Sequence, residues 1–170
     1  IVCKTDAAHA QLAADFKARR VQKTYAALVC GVPAARGRIE APIARHEHHR
    51  QKMTVSPLGR MAVTEYSVVR EWPKFALLDV RLLTGRTHQI RVHLAHLHHP
   101  VVGDARYGGW KRALQSAPSE AVRRALEELE GQALHAARVA FEHPISGVPV
   151  LVDAPLPPEM ERIIAALDAN

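Results

Sequence analysis

The residues with the clearest potential for chemistry lie together between Leu83 and His93. This stretch, LTGRTHQIRVH, holds two arginines, a glutamine and two histidines, and we predict that they surround the first turns of a helix. A helix N-terminus offers an anion backbone N–H donors and a favourable dipole. The stretch therefore predicts a site for a phosphate, a carboxylate or a polyanion.

The basic charge is concentrated in the first third of the chain. Residues 1–60 hold 11 Lys and Arg against 4 Asp and Glu, whereas residues 61–170 are almost balanced. One-sided basic charge is typical of nucleic-acid-binding proteins, and a solvated basic face without a partner is the alternative. Because only eight aromatic residues are present, the stacking of RNA bases would fall to one or two of them.

Several other classes of protein are disfavoured by the sequence. No apolar run is long enough to cross a membrane, and no phosphate-binding loop, GxGxxG motif or GxSxG elbow is present, so we expect no nucleotide cofactor and no membrane association. Cys3 and Cys30 lie far apart and outside any CxxC motif. This spacing favours two free thiols in a reducing compartment, so we expect a cytoplasmic protein.

Seven of the eleven histidines form two clusters, three at 46–49 and four at 93–99. No cysteine is near either cluster, and Glu47 between His46 and His48 does not complete an H-E-x-x-H pattern, so we expect no metal and keep a histidine-based metal protein as the alternative. In GDARYG, Asp104 is predicted to accept hydrogen bonds from its own backbone turn, with a catalytic role as the alternative.

Hydrophobic periodicity predicts an α+β domain with a mostly antiparallel sheet and helices packed on it. Strands are expected at 21–31, near 39, at 53–55, 61–72, 74–83, 134–141 and 148–152, and helices at about 6–20, 85–97, 121–130 and from 157. Residues 1–3 are expected to be the tail of a strand. Leu12 and Phe16 are expected on the buried face of the first helix, and His98 in a left-handed conformation.

Ordered motifs along the chain together resemble the RluA family of pseudouridine synthases. They are KTYAALVCG at 23–31, GRTHQIR at 85–91 with His93, HPVVGD at 99–104, YG at 107–108, LHA at 134–136, HP at 143–144 and APLP at 154–157. The resemblance implies that residues 1–170 form a single pseudouridine synthase catalytic domain. Its expected fold is a bent, mostly antiparallel mixed sheet with flanking helices and an RNA-binding cleft.

The same resemblance implies an activity. Such enzymes isomerise specific uridines of RNA to pseudouridine: they detach the uracil from C1′, turn it and reattach it through carbon, with no cofactor and no metal. The expected partner is ribosomal RNA, with transfer RNA as the alternative. A monomer is the expected state.

The resemblance also assigns roles to individual residues. The catalytic ones are Tyr25, which would stack on the target uracil, and Arg86, which would form an ion pair with an essential aspartate. The substrate-binding ones would shape the turn or touch RNA, with Arg91 as the expected phosphate contact. They are Lys23, Thr84, His88, Gln89 and Arg91.

The family's essential aspartate lies in a segment that reads His-Arg-Leu-Asp-x-x-Thr-Ser-Gly, just before a strand that resembles residues 1–5. This chain does not contain that segment. We therefore expect a catalytic domain truncated at its N-terminus and inactive by itself. The alternative is a catalytically inert RNA-binding domain that kept the cleft and lost the aspartate.

Overall fold

The structure, a computed structural model, describes residues 1–170. The eight strands are β1 (Gln22–Cys30), β2 (Arg36–Glu40), β3 (Ile43–Arg45), β4 (Met53–Val55), β5 (Val63–Trp72), β6 (Phe75–Leu82), β7 (Leu134–Glu142) and β8 (Pro149–Asp153). The five helices are α1 (Asp6–Lys17), α2 (Gln89–His96), α3 (Gly109–Ser116), α4 (Glu120–Glu127) and α5 (Pro158–Asp168). No helix combines the length and the apolar character that crossing a bilayer requires.

Six strands form one antiparallel sheet in the order β2-β5-β6-β1-β7-β8. The other two, β3 and β4, form a separate antiparallel hairpin, which we call the arm (residues 43–55). The predicted α+β class with a mostly antiparallel sheet is confirmed. Strand β1 is central, because it pairs with both β6 and β7.

The sheet is buried on both faces at its centre, since successive side chains of a strand point to opposite faces. On β1, Leu28 and Cys30 contribute to one core cluster together with residues of α3, α4 and α5. Ala27 and Val29 contribute to a second cluster, which includes Ile90 and Leu94 of α2. Helix α2 therefore lies on the opposite face of the sheet from α3, α4 and α5.

The N-terminal region differs from the prediction. Residues 1–3 lie in no strand, and Ile1 and Val2 are 63% and 92% exposed, because no strand of this chain runs beside them. Leu12 is buried on α1 as expected. Phe16 is 44% exposed and belongs to no core cluster; its ring instead faces Lys23 Nζ at 5.1 Å.

Two other helices differ from the prediction. Helix α2 begins at Gln89 and not at Gly85, because His88 has a left-handed backbone (φ 56°). Helix α3 was not predicted, since its start at Gly108-Gly109 reads as a turn. Gly109 is required there, because a Cβ would lie 1.7 Å from the Val101 carbonyl oxygen. The left-handed conformation predicted for His98 is confirmed (φ 62°).

Candidate RNA site: a basic cleft and the turn beside it

An open cleft of about 780 Å³ lies where α1, β1 and β6 meet the segment between β6 and α2. Six of its thirteen lining residues are cations and none is a carboxylate. The cations are Lys17, Arg19, Lys23, Arg60, Arg81 and Arg86. None of the six forms an ion pair within the chain. Such a concentration of unpaired positive charge attracts a polyanion such as RNA.

The segment beside the cleft, residues 83–88, is named here the Arg86 turn. The buried side chain of Gln89, only 2% exposed, stabilises this turn by hydrogen bonds. Its Oε1 accepts hydrogen bonds from Thr84 Oγ1 at 2.7 Å and from the Arg86 N–H at 3.0 Å. Its Nε2 donates to the Val63 carbonyl and to Thr64 Oγ1, both at 2.9 Å. In this structure Gln89 and Thr84 therefore shape the turn, which is one of the two uses predicted for them.

Arg86 lies at the border of the cleft with a half-exposed side chain. Its Nε donates to the Met61 carbonyl oxygen at 3.3 Å, and no carboxylate of this chain pairs with it. The guanidinium therefore keeps donors free for an acceptor that enters the cleft. The predicted ion pair with an aspartate stays a prediction.

Tyr25 lies on β1, on the same sheet face as Lys23. Its ring is half-buried against the cluster that includes Val80 and Ile90, and this burial raises the pKa of its hydroxyl. Lys23 lines the cleft, whereas Tyr25 is not among the lining residues. The structure thus brings Lys23, Thr84 and Arg86 together and places Tyr25 two residues along the strand from them.

Arg91 is held by a buried carboxylate. Its Nε and Nη2 donate to the two oxygens of Asp104 at 2.7 and 2.8 Å, and the Arg91 side chain is only 14% exposed. Asp104 Oδ1 also accepts from the backbone N–H groups of Arg106 and Tyr107, so the predicted turn at Asp104 is present. Because two of its donors are already committed, Arg91 is a weaker candidate for a phosphate contact than the free cations of the cleft.

His88 lies on the side of the turn that faces Tyr107. Its Nδ1 is 2.9 Å from the Tyr107 hydroxyl oxygen. Burial, together with Arg91 and Arg106, lowers the pKa of His88, while Asp104 opposes the shift. This shift favours the neutral imidazole of His88.

His93, from the second histidine cluster, is a core residue. Its ring nitrogens lie 2.9 Å from Thr64 Oγ1 and 3.1 Å from the Ala41 carbonyl oxygen, and the side chain is fully buried. Both nitrogens are therefore engaged with protein groups.

Sequence reasoning did not single out several cleft residues. Three of the six cations, Lys17, Arg19 and Arg60, lie in the basic first third of the chain. The charge excess of that region includes them, but it does not indicate that they meet in one cleft. Arg81 lies on the strand predicted at 74–83, outside the basic first third of the chain. The signal that would have found Tyr107 is its place in the motif after Asp104, three residues along the same turn.

Comparison with known proteins places this geometry in a family. Residues 1–96 match the family model described as RNA pseudouridylate synthase. The ribosomal large subunit pseudouridine synthase D of Vibrio cholerae is 42% identical over 167 residues, which are 98% of this chain and 51% of that protein. The protein of the same name from Escherichia coli K12 is 41% identical over 170 residues. The chain spans about half the length of these curated relatives.

Solved structures agree with the sequence relatives. Human RNA pseudouridylate synthase domain containing 4 superposes with a TM-score of 0.75 at 25% identity, over 96% of this chain and 69% of that one. Human RNA pseudouridylate synthase domain containing 1 superposes with a TM-score of 0.73 at 25% identity, over 98% and 74%. The resemblance drawn from the motifs is confirmed, and this chain belongs to the RNA pseudouridylate synthase family.

Proposed function

We propose that the protein containing this chain isomerises uridine to pseudouridine in ribosomal RNA. The observation that carries the proposal is the cleft lined by six unpaired cations and no carboxylate, with Arg86 at its border. Such a lining suits the phosphates of an RNA strand. It also leaves Arg86 able to bind one carboxylate.

The residues of the cleft and the neighbouring Tyr25 have different roles. Lys23, Arg60 and Arg81 bind phosphates and hold the strand. The target uridine has to leave its stack to be reached, and Tyr25 then stacks on the extruded uracil. Arg86 orients the family's aspartate by a bidentate contact and keeps it ionised. The reaction needs no cofactor and no metal.

Ribosomal RNA is the proposed substrate because the curated relatives from two bacteria carry that substrate in their names, at 41–42% identity. Transfer RNA is the competing substrate and forms the second arm of the test. We further propose a monomeric cytoplasmic protein, which fits the two free thiols, Cys3 and Cys30.

Residues 1–170 alone are proposed to bind RNA without turning it over. The cleft has no carboxylate among its lining residues, so the group that Arg86 would orient is not supplied by this part of the chain. A catalytically inert RNA-binding protein would bind RNA without turnover at full length as well. A pseudouridine synthase would turn the RNA over at full length, so the full-length protein distinguishes the two proposals.

The test is release of tritium from RNA labelled at C5 of uridine, because the new bond to the ribose forms at a ring carbon and displaces its hydrogen. We expect the full-length protein to release tritium from ribosomal RNA, and residues 1–170 to bind that RNA without release. Release from transfer RNA alone would change the substrate. Binding without release at full length would favour the inert protein, and turnover by residues 1–170 would contradict the need for a further carboxylate.

A further inference from the structure

A single tyrosine hydroxyl joins the arm to the Arg86 turn. Tyr107 Oη accepts a hydrogen bond from the backbone N–H of Met53 on β4 at 2.9 Å. The same oxygen lies 2.9 Å from Nδ1 of His88 in the turn. Asp104 fixes the Tyr107 backbone by accepting its N–H at 3.1 Å. The Tyr107 hydroxyl oxygen therefore links the position of the arm to His88.

This geometry favours one of the two neutral tautomers of His88. The Met53 N–H is only a donor, so the tyrosine oxygen is the acceptor in that contact. The hydroxyl keeps its own proton, and when it donates that proton to His88, Nδ1 is the acceptor and the ring hydrogen lies on Nε2. Nε2 has no hydrogen-bond partner within the chain, so its N–H is open to a ligand.

The charges around His88 favour the same neutral ring. Arg91 and Arg106 both disfavour the imidazolium. The one nearby carboxylate, Asp104, is committed to Arg91 by two hydrogen bonds. The arm approaches His88 with the Met53 backbone and contributes no charged group to this contact.

We propose that Tyr107 is a positioning residue that fixes His88 as a neutral Nε2–H donor to the RNA backbone and ties that donor to the position of the arm. The RNA part of this proposal rests on the proposed function, whereas the state of His88 does not. The Nε2–H suits a phosphate oxygen or a ribose hydroxyl. Because the donor is neutral, its use does not depend on a proton taken from solvent.

The first test is Tyr107→Phe in the full-length protein, followed by ¹⁵N NMR of the histidine rings. This change removes the hydroxyl and keeps the ring that lies 5.0 Å from the Arg91 guanidinium. We expect wild-type His88 to carry its hydrogen on Nε2. In the variant we expect a mixture of tautomers and a higher His88 pKa, because the donor that favours the neutral ring is gone. A hydrogen on Nδ1 in the wild type, or no change in the variant, overturns the proposal.

The second test is the affinity for a large-subunit ribosomal RNA transcript, measured by fluorescence anisotropy at pH 5.5 and 7.5. Tyr107→Phe should weaken binding on the order of fivefold at pH 7.5, and by less at pH 5.5, because protonation of His88 restores a hydrogen on Nε2 whichever tautomer the neutral ring adopts. Adding His88→Asn should abolish this extra pH dependence, and asparagine tolerates the left-handed backbone at that position. Tyr66→Phe, which removes a hydroxyl outside this contact, is the matched control.

The outcomes separate the two proposals. If wild-type protein does not bind the transcript while the ¹⁵N spectra change as expected, the proposed function is wrong and the positioning of His88 stands. If the transcript binds wild type and Tyr107→Phe equally at both pH values, the role of His88 toward RNA is wrong.

Discussion

Arg86 borders the cleft with one hydrogen bond to the Met61 carbonyl and no charged partner. A planar guanidinium can bind a carboxylate through two parallel hydrogen bonds, which an ammonium cannot do. We therefore expect Arg86→Ala and Arg86→Lys each to lower turnover of the full-length protein by about 100-fold or more. The melting temperature should stay close to that of the wild type, because the side chain is half-exposed and makes a single bond. Near-normal turnover in Arg86→Lys would contradict the bidentate role, and Arg124→Ala, at an exposed ion pair on α4, is the control.

His93 should make stability depend on pH. Burial lowers the pKa of His93 below its ordinary value of 6.5. Below about pH 6.5, His93 therefore binds a proton more readily in the unfolded chain than in the folded chain. The contribution of His93 is complete above that pH and is lost progressively as the pH falls. We expect the free energy of unfolding in urea to drop between pH 7.5 and 5.5, and to drop less in His93→Gln. An equal drop in both proteins would show that His93 is not responsible.

At the scale of elements, the Arg86 turn depends on one amide. Gln89 joins the turn to β5 by four hydrogen bonds. Gln89→Leu leaves buried partners without a hydrogen bond, so we expect it to lower the free energy of unfolding by about 2–4 kcal/mol. The comparison is Gln11→Leu, at an exposed position with one side-chain bond, which should cost less than about 1 kcal/mol. Equal losses would mean that the turn is held by other contacts.

Elements with a regular hydrophobic period could be predicted from the sequence. The strand predicted at 74–83 is an example: Ala76, Leu78 and Val80 alternate along β6 and are buried, because the pleat places them on one face. The start of α2 could not be predicted, since it depends on the Gln89 amide and on a left-handed His88. The same holds for Arg91 and Asp104: they are joined across the turn that ends α2, and nothing in their spacing indicates that contact.

At the scale of the molecule, the arm is a second basic surface besides the cleft, and we expect it to contact RNA as well. Arg45, Arg50 and Lys52 lie on the arm, and Arg45 also contacts the Arg50 carbonyl. Replacing all three with Gln should lower the slope of log affinity against log salt by about 2, because each phosphate contact releases counterions. Anisotropy with the ribosomal transcript at several salt concentrations measures this slope.

The control for that experiment is Gln at three arginines that are ion-paired on α4 and α5. They are Arg123, Arg124 and Arg162. These changes remove the same formal charge from helices outside the cleft and the arm, so the slope should stay as in the wild type. If the arm variant keeps the wild-type slope as well, the arm does not touch phosphates.

The charge bias of residues 1–60 indicated the class of ligand but not the shape of its site. The cleft combines cations of α1, β1 and β6, and Arg81 of β6 lies outside the basic third of the chain. Arg81 comes close to Lys23 because β6 pairs with β1, where Arg81 is opposite Thr24. Such long-range pairing is set by tertiary packing, which no local pattern records.

The central place of β1 has a consequence for synthesis on the ribosome. Strands β2, β5, β6 and β1 all come from residues 22–82, so they can pair soon after they emerge. The second neighbour of β1 is β7, which begins more than 100 residues after β1 ends. At typical translation rates this delay is about 5–20 s. During that time Lys23 and Tyr25 lie on an open strand edge, so a nascent chain that stalls before Leu134 would expose the strand that carries them.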